Sequence, residues 1–276
     1  MSREWDSLRE ALRPLCEKGL CLAFSGGVDS AVVLAAAVSL HPVKPVEAVL
    51  FATQLHPAAE ESEARKLCEE LHTPLTVLHI DEFADPAIMQ NPPDRCYHCK
   101  KRLFKTLWER ARAIGYGACA DGTNADDQFA YRPGLRALQE LSIESPLLQC
   151  GFHKAQVRAL AAEQGLSVQK KPSTPCLATR LPYGTPITRE ALQKIEQGET
   201  WLKENGFPGG RVRLHGDVAR IEVPPKDLPR FFAQRDRVVP AFKQMGFWYV
   251  TLDLEGFRSG SMDEPLGLKA PGENRR

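Results

Sequence analysis

The sequence predicts an α/β protein with a doubly wound, mostly parallel sheet, followed by a smaller C-terminal α+β domain. Short apolar runs typical of buried strands, at 20–24, 46–51 and 75–80, alternate with segments of helical periodicity. A Gly-Gly turn follows the first of these runs directly. With 276 residues the chain is long enough for two cores, and we expect domains at 1–183 and 184–276.

The individual elements follow from the spacing of apolar residues. Trp5, Leu8, Leu12 and Leu15 recur at helical spacing and predict an opening helix. The other elements predicted for the first domain are helices at 29–40, 58–71 and 100–114 and a fourth strand at 118–120. Those predicted for the second domain are helices at 188–205 and 226–245 and strands at 211–215, 218–223 and 248–254. The domain boundary is expected in the proline-rich loop near 182–188.

Composition limits the classes of partner. Lys and Arg number 36 and Asp and Glu number 35, so the formal charge of +1 provides no general attraction for nucleic acid or an anionic membrane. The chain does not open with a basic segment followed by an apolar one, and its longest apolar stretch, 30–40, is too short to span a bilayer. We therefore expect a cytoplasmic protein without a membrane or nucleic-acid partner.

The loop after the first strand has the composition of a phosphate site. Gly26 and Gly27 allow main-chain N–H groups to approach an anion closely, and the following helix directs its positive end to the same point. Ser25 and Ser30 add hydroxyl groups, and Asp29 is a candidate ligand for Mg²⁺. The alternative is an ordinary turn in which Asp29 caps the helix.

The complete hexapeptide, Ser-Gly-Gly-Val-Asp-Ser at 25–30, resembles the PP-loop of the ATP-pyrophosphatase family. It lacks the Gly-Lys-Ser/Thr ending of a Walker loop. The resemblance implies that ATP is cleaved between its α and β phosphates and that AMP is placed on a substrate oxygen. A nucleophile then displaces AMP, and relatives use ammonia, amines or sulfur.

A second polar segment, 121–134, follows the strand predicted at 118–120. Its position at the carboxyl end of a parallel strand makes Asn124 and Arg132 candidates for contact with ATP. Segments rich in Asn, Asp and Gly are also frequent in simple turns. Lys154, at the start of a helix after Gly151, is a further candidate for contact with pyrophosphate.

The cysteines fall into two groups. Five of the eight lie singly among apolar residues, where a free cysteine behaves as a small hydrophobic residue: Cys16, Cys21, Cys68, Cys119 and Cys150. Cys96 and Cys99 instead form a Cys-x-x-Cys motif at the expected start of a helix, with Arg95, Lys100 and Lys101 nearby to favour thiolates. A zinc site, a redox disulfide and an iron–sulfur cluster are the three alternatives.

Cys176 adds a third polar-flanked cysteine. It stands alone in a Pro- and Ser-rich loop, and no second Cys-x-x-Cys exists to complete a zinc site of four cysteines. Three thiolates can hold a cubane cluster and leave one iron open for a sulfide. The alternative is an incidental Cys-x-x-Cys together with a buried Cys176.

Several further motifs, in order along nearly the whole chain, resemble the LarE family. They are 91–104, 121–134, Ser145-Pro146-Leu147, Lys171-Pro172, Cys176-Leu177-Ala178-Thr179-Arg180 and Arg-Val-Arg-Leu-His at 211–215. LarE proteins are ATP-dependent sulfur transferases that convert a pyridinium dicarboxylate mononucleotide for synthesis of the nickel-pincer nucleotide cofactor. The resemblance implies ATP, Mg²⁺, a sulfide donor and a homo-oligomer.

The resemblance also bears on the source of sulfur. Some family members carry only the cysteine matching Cys176 and give up its sulfur, while others have three cysteines that hold a catalytic [4Fe-4S] cluster. This chain has cysteine at all three positions, 96, 99 and 176, which favours the cluster. Sacrifice of the Cys176 sulfur is the alternative.

A strand in the second domain predicts a substrate site. Alternation along 211–215 places Arg211, Arg213 and His215 on one face, and a two-residue turn would set Arg213 opposite Arg220. Two like charges opposite each other require an anion between them. We therefore expect Arg211 and Arg213 to bind the substrate's phosphate or carboxylate, with Glu222 orienting Arg211. A solvated charged face is the alternative.

The family resemblance extends that site. The arginines and glutamate at 211, 213 and 222 match residues of the family's substrate site, and it implies the same role for Glu199 and Arg180. The sequence is also compatible with two other functions. One is a PP-loop enzyme that thiolates tRNA, and the other is a nucleotide-binding sensor whose cysteines report redox or metal state. Near-zero net charge argues against the first.

Overall fold

The computed structural model describes residues 2–57, 59–129, 131–171 and 174–267. The chain forms two compact units, Met1–Ala84 with Asp94–Thr174, and Asp85–Pro93 with Pro175–Arg276. The second unit begins earlier than the boundary expected at 183, because the loop around Cys176 is bonded to elements of this unit. The segment before Asp94 joins it as well, since the Gly184 amide donates to the Asn91 carbonyl at 2.8 Å.

Helices and strands alternate in the first unit and follow one another less regularly in the second. The helices are α1 (Arg3–Lys18), α2 (Val28–Val38), α3 (Ala59–Glu70), α4 (Pro86–Met89), α5 (Arg95–Ala113), α6 (Gly134–Glu140), α7 (Pro146–Gln149), α8 (Lys154–Glu163), α9 (Arg189–Glu204), α10 (Leu228–Phe232) and α11 (Arg235–Gln244). The strands are β1 (Leu20–Ala23), β2 (Glu47–Thr53), β3 (Leu75–Ile80), β4 (Ala118–Ala120), β5 (Arg211–His215), β6 (Val218–Glu222) and β7 (Tyr249–Leu252).

The sheet of the first unit is parallel and has the order β3-β2-β1-β4. Alternate residues of the central strands enter two different apolar clusters. Leu20 and Leu22 of β1 pack with residues of α1, α2 and α8, whereas Cys21 packs with residues of α5 and α6. Helices therefore cover both faces of the sheet, and the predicted doubly wound α/β fold is confirmed.

The second unit contains a small mixed sheet. Strands β5 and β6 form an antiparallel hairpin, and β7 pairs with β6 in parallel. The predicted hairpin register is the one observed, with His215 opposite Val218, Arg213 opposite Arg220 and Arg211 opposite Glu222. The predicted α+β class of this part is confirmed.

Two predicted helices differ from the observed ones. Helix α5 begins at Arg95 rather than at 100, so the Cys-x-x-Cys motif lies inside its first turns. The single helix predicted at 226–245 is divided into α10 and α11, because the Gln234 amide donates to the Phe231 carbonyl at 2.9 Å and closes a tight turn. Within the ranges that the structure describes, no helix is both long and apolar enough to cross a membrane.

Candidate active site

The loop between β1 and α2 is built around Gly26. This residue has φ of +66°, a left-handed conformation that side chains with a Cβ rarely adopt. A Cβ there would also lie 3.2 Å from the Cα of Ala64 in α3. The Lys171 ammonium donates to the Gly26 carbonyl at 2.9 Å and pairs with Glu63 at 2.6 Å. Position 26 therefore requires glycine, and Lys171 holds its peptide group.

The hydroxyls of Ser25 and Ser30 form hydrogen bonds within the loop. The Gly27 amide donates to Ser25 Oγ at 3.3 Å, the two serine Oγ atoms are 3.3 Å apart, and the Ser30 hydroxyl donates to the Gly27 carbonyl at 3.2 Å. Helix α2 begins at Val28 with Gly27 as its N-cap, so Asp29 does not cap the helix. The helix start is left directed at the space that a phosphate group would use.

Asp29 is instead paired with residues from two other segments. The ammonium group of Lys154 and the Asn124 side-chain amide both donate to its carboxylate, the latter at 3.2 Å. Arg132 pairs with Asp127 at 2.9 Å, and Asp127 accepts the Asn124 amide N–H at 3.0 Å. The structure therefore brings the predicted ATP residues together, with Arg132 linked to the loop through Asp127 and Asn124.

The carboxyl end of β4 is packed directly against this loop. Asp121 is buried and accepts hydrogen bonds from the hydroxyls of Thr123 (2.5 Å) and Ser145 (2.7 Å). A Cβ on Gly122 would lie 2.7 Å from the Ser30 amide nitrogen and 3.1 Å from the Ser30 Cα. Only glycine allows this close approach of two backbones.

Sequence reasoning missed Lys171 in this site. Lys154 pairs with Asp29 beside the loop, and its approach to pyrophosphate stays a prediction. Lys171 was noted only as part of a family motif, although it bonds to the loop backbone. A lysine far along the chain gives no periodic signal of such contacts, because they depend on where α8 and the segment after it pack.

A cavity of about 390 Å³ opens at the carboxyl ends of β2 and β3. It is of the size that small-molecule ligands occupy. Thr53, His56, Glu60, His79 and Asp81 are among the residues that line it. Burial lowers the pKa of His56, and Thr53 Oγ1 lies 2.8 Å from its Nδ1. The cavity therefore combines apolar walls with a few directed polar groups.

Glu60 gives this cavity a predicted pH dependence. Burial raises the pKa of Glu60 to about 7, from an ordinary value of 4.5, with Lys171 acting in the opposite direction and Glu63 in the same one. The unfolded chain loses this proton first, so the stability contributed by Glu60 is present below pH 4.5 and is lost as the pH rises to about 7. We expect Glu60→Gln to raise Tm relative to wild type by about 3 °C at pH 8 and by less at pH 5.

Thermal unfolding of both proteins at pH 5 and pH 8 measures this difference. Glu69→Gln, on the exposed face of the same helix, is the matched control and should shift Tm equally at both pH values. Equal shifts for Glu60→Gln at the two pH values would show that this carboxyl titrates normally.

The Cys-x-x-Cys motif occupies the first turns of α5. Cys96 and Cys99 are half-buried, and an Nη2 hydrogen of the buried Arg95 is directed at the Cys96 sulfur at 3.7 Å. The two lysines expected to favour thiolates have other partners: Lys100 lies 3.7 Å from Asp121, and Lys101 pairs with Glu140 at 2.7 Å. Of the three basic residues, Arg95 is therefore the one in contact with a motif sulfur.

Helix α6 holds these turns in place. Tyr97 donates to Glu140 at 2.8 Å, and the Arg136 guanidinium stacks on the Tyr97 ring at 3.6 Å. A Cβ on Gly134 would lie 3.3 Å from the Cys96 carbonyl oxygen and 2.6 Å from Lys100 Cδ, so α6 begins directly on the motif. Packing of α6 thus fixes the backbone that carries both cysteines.

The other cysteines of the first unit are chemically different. Burial raises the pKa of Cys16 and Cys68 to about 11 and of Cys21 to about 12, and it raises those of Cys119 and Cys150 as well. A raised pKa disfavours the thiolate, which is the form of cysteine that binds metals and acts as a nucleophile. Their behaviour is that of small core residues, as expected from their apolar sequence surroundings.

The three-cysteine cluster stays a prediction. Cys96 and Cys99 belong to the first unit and Cys176 to the second. Among the described residues, no three His, Cys, Asp or Glu side chains form a group that could hold a metal ion. The donor chemistry fits iron and sulfide, because all three thiols are half-buried and lie in polar segments.

The predicted substrate arginines lie in the second unit, where we name Arg180, Arg211, Arg213, Glu199 and Glu222 the arginine cluster. Arg213 is 5% exposed, not on an open face, and its Nε and Nη2 groups donate to Glu222 Oε2 at 3.0 and 2.7 Å. The expectation that Glu222 orients Arg211 is wrong, because the diagonal neighbour Arg213 reaches this carboxylate. The other Glu222 oxygen accepts from Ser261 and pairs with Arg220.

Arg180 and Glu199 form a second, bidentate pair. Arg180 Nε and Nη2 donate to the two oxygens of Glu199 at 2.8 and 2.9 Å, and Arg180 is 1% exposed. Glu199 Oε1 also accepts the Val212 amide of β5 at 3.2 Å. The protein itself therefore supplies the anion that the sequence required between the opposed Arg213 and Arg220, because Glu222 pairs with both.

Arg211 differs from these two arginines. In the described part of the chain it makes no ion pair: its Nη1 donates to the Gly210 carbonyl at 2.9 Å and its guanidinium lies 5.5 Å from the Phe257 ring centre. Burial lowers the pKa of Arg211; Glu199 and Glu222 oppose this, and Arg180 and Arg213 add to it. A bound anion would reduce the free-energy cost of burying the positive charge of Arg211. Arg211 is therefore the cation of the cluster best prepared for a ligand.

Comparisons with known proteins agree with this fold and site. The model of the NAD synthase family matches residues 1–112. The pyridinium-3,5-bisthiocarboxylic acid mononucleotide synthase of Lactiplantibacillus plantarum is 39% identical over 89% of this chain and 89% of its own. An uncharacterised protein of Synechocystis sp. is 37% identical over 89% of this chain and 92% of its own.

More distant relatives share less. A tRNA-specific 2-thiouridylase of Mycobacterium sp. is 27% identical over 87% of this chain and 79% of its own. The solved structure of NMN synthetase from Francisella tularensis matches with a TM-score of 0.50 and 16% identity, over 63% of this chain and 76% of that one. This last similarity supports the fold alone.

The parallel sheet, the glycine loop at its carboxyl edge and the acidic residue beside the loop define an enzyme of the PP-loop, NAD synthase-like class. Within that class, the extent of similarity to the Lactiplantibacillus plantarum synthase is decisive. The chain belongs to the LarE family.

Proposed function

We propose that this chain is an ATP-dependent sulfur transferase that adenylates a carboxylate of a pyridinium dicarboxylate mononucleotide and converts it to a thiocarboxylate. The observation that carries the proposal is the glycine loop between β1 and α2, with Asp29 held beside it by Lys154 and Asn124. The name of the Lactiplantibacillus plantarum relative supplies the class of product, a pyridinium bisthiocarboxylic acid mononucleotide. The product would serve synthesis of the nickel-pincer nucleotide cofactor, as the family resemblance implies.

The first chemical step forms an acyl adenylate. A substrate carboxylate oxygen attacks the α phosphorus of ATP, and the bond to the bridging oxygen of pyrophosphate breaks. The backbone N–H groups at the start of α2 would hold the phosphates, and Lys171 keeps the Gly26 peptide in the conformation that directs them. Asp29 would hold Mg²⁺, and Lys154 and Asn124 orient its carboxylate.

In the second step sulfide displaces AMP from the acyl adenylate, which leaves a thiocarboxylate. We propose that the thiolates of Cys96, Cys99 and Cys176 hold a [4Fe-4S] cluster, which when bound supplies the sulfide. Support comes from the three half-buried thiols in polar segments, set against the five cysteines whose pKa burial raises. A physiological sulfide donor and a homo-oligomer remain predictions.

The product assay tests the proposal. Full-length protein is incubated anaerobically with MgATP, sulfide and the pyridinium dicarboxylate mononucleotide, and pyrophosphate and thiocarboxylate are measured together. Substrate-dependent release of both is the expected result. Pyrophosphate release with tRNA but not with the pyridinium nucleotide, together with salt-sensitive tRNA binding, would support a thiouridylase, the activity named for the mycobacterial relative. ATP binding without pyrophosphate release would support the sensor.

Arg211 provides a prediction about the substrate. Because its charge is not balanced by an ion pair in the described structure, we expect Arg211→Met to raise the substrate KM about 10- to 100-fold. The ATP KM should change less than about twofold, since the described contacts of Arg211 are to Gly210 and Phe257 and do not include the glycine loop between β1 and α2. Steady-state kinetics with each substrate varied in turn measure both values.

Arg237→Met is the matched control, because it removes an exposed arginine from α11 of the same unit. Its KM values should equal those of wild type. An unchanged substrate KM for Arg211→Met would remove Arg211 from the substrate site.

A further inference from the structure

The segment that carries Cys176 makes several hydrogen bonds to the arginines of the arginine cluster. Cys176 caps a 3-10 helix at Leu177–Arg180, and we name residues 175–180 the Cys176 loop. The carbonyl oxygens of both peptide groups that flank the Cys176 Cα accept hydrogen bonds from one guanidinium: Arg180 Nη1 donates to the Pro175 oxygen at 3.0 Å and to the Cys176 oxygen at 3.3 Å. The position of the thiol-bearing carbon is thus defined from both sides.

Thr179 adds a second set of bonds. Its hydroxyl and amide both donate to the Cys176 carbonyl, at 2.8 and 3.0 Å, and its hydroxyl accepts from Arg180 at 2.7 Å. Its own carbonyl accepts from Arg213 Nη1 at 3.0 Å. Each buried arginine of the cluster therefore holds a carboxylate on one side and the Cys176 loop on the other.

Carboxylates balance the charges of Arg180 and Arg213, the two buried arginines of this cluster. Glu199 neutralises Arg180. Glu222 pairs with both Arg213 and Arg220, and Asp253 pairs with Arg220. These last two carboxylates therefore balance the charges of these two arginines. Buried, fully paired guanidinium groups have few N–H groups and little net charge left for a substrate anion. Their geometry is that of supports, whereas Arg211 keeps the geometry of a binding residue.

We propose that Arg180, oriented by Glu199, is a positioning residue that sets where the Cys176 sulfur lies during sulfur transfer, and that Arg213 supports it through Thr179. The proposal rests on the proposed function, because it assigns Cys176 to the sulfur-transfer step. It separates the arginines by role: Arg211 binds substrate, and Arg180 and Arg213 align the residue that takes part in the second step.

Coupling between the two steps tests this role. Arg180→Lys keeps the positive charge but loses the planar fork and the contacts to both carbonyl oxygens. Pyrophosphate released per thiocarboxylate formed should rise from about one in wild type to about ten, because the acyl adenylate is still made but is hydrolysed before sulfur reaches it. The KM values for the pyridinium nucleotide and ATP should stay within about twofold of wild type.

Glu199→Gln provides the second variant if Arg180→Lys does not fold, as judged by its melting temperature. It keeps the shape of the partner and weakens its hold on Arg180, so it should uncouple the steps in the same direction by a smaller factor. Arg237→Lys, on the exposed face of α11, is the control for the substitution itself and should couple normally.

A readout independent of turnover separates this proposal from the proposed function. Alkylation of Cys176 by iodoacetamide, followed by peptide mapping of the full chain, should be at least about threefold faster in Arg180→Lys, with Cys150 in the same protein as the unchanged reference. Wild-type protein that releases no pyrophosphate with the pyridinium nucleotide would overturn the proposed function, and the alkylation rates would then decide on the positioning role alone. Folded variants with normal coupling and normal Cys176 alkylation overturn the positioning role, as does a tenfold rise in substrate KM with coupling preserved.

Discussion

Replacing Cys176 by alanine is expected to abolish thiocarboxylate formation, by at least about a thousandfold, while substrate-dependent pyrophosphate release continues. The reason lies in the division of tasks within the chain. The glycine loop between β1 and α2, with Asp29 and Lys154, belongs to the first unit, whereas the proposed sulfur-transfer step depends on Cys176 of the second. Pyrophosphate and thiocarboxylate measured in one anaerobic reaction report the two steps separately.

Cys150→Ala is the matched control, because Cys150 is also half-buried. Its thiol is hydrogen-bonded to the Ser7 carbonyl, and it does not lie in a polar loop as Cys176 does. It should leave both products unchanged. Equal loss of pyrophosphate and thiocarboxylate in Cys176→Ala would instead show that Cys176 is needed for adenylation or for folding.

Iron analysis of the same variants separates the two sources of sulfur. Protein purified anaerobically should contain about four irons per chain, and Cys96→Ala, Cys99→Ala and Cys176→Ala should each lose them. Many turnovers by an iron-containing wild type would support catalytic transfer. A colourless, iron-free wild type that makes one product per chain and loses the elements of H₂S from Cys176 would show sacrifice of the cysteine, and Cys96 and Cys99 would then be left with a structural or redox role.

The second large effect is expected at Gly122. The methyl group of Gly122→Ala would lie 2.7 Å from the Ser30 amide nitrogen, so the first turn of α2 and the end of β4 must move apart. A displacement of this kind would misalign the N–H groups proposed to hold phosphate, and we expect pyrophosphate release to fall about 100-fold. The free energy of unfolding should fall by about 1–3 kcal/mol, as for other overpacked sites.

Gly117→Ala is a closely matched control at the other end of β4. Its methyl group would meet only Lys18, at 3.4 Å from Cβ and 3.5 Å from the carbonyl oxygen, which is ordinary van der Waals contact. ATP titration, pyrophosphate release and denaturant unfolding should all be close to wild type for this variant. A folded Gly122→Ala protein with wild-type ATP affinity and rate would show that the loop tolerates displacement.

Apolar periodicity and turn chemistry were sufficient to predict much of the fold. The strand predicted at 75–80 is β3 itself, and the hairpin register of β5 and β6 follows from alternation and a two-residue turn. The start of α5 was placed too late, because the polar segment Arg95 to Cys99 has no apolar stripe to reveal its helical state. Packing of α6 onto these turns, which is not visible in local sequence, accounts for the difference.

Most residues of the candidate site could be predicted from the sequence, but the ion pairs between them were harder to predict. The glycine loop has a local signature, so its residues were identified directly. Which carboxylate each arginine holds depends on diagonal contacts and on the Cys176 loop, whose bonds to Arg180 and Arg213 link segments up to 34 residues apart. Charge alternation along β5 therefore singled out Arg211 and Arg213, whereas Glu222 is bonded to Arg213 and not to Arg211 as expected.

The contrast within the arginine cluster also sets its response to ionic strength. Dissolved ions screen charges that solvent reaches, over a Debye length of about 8 Å at physiological salt, and act far less on buried pairs. Arg180 and Glu222 have side chains 1% and 0% exposed, so added salt leaves the hold on the Cys176 loop intact. Arg211 is half-buried, and its proposed ligand arrives from solvent, so we expect salt to weaken capture of the substrate anion first. Ionic strength therefore acts on recognition in this second unit while alignment of the sulfur-bearing residue persists.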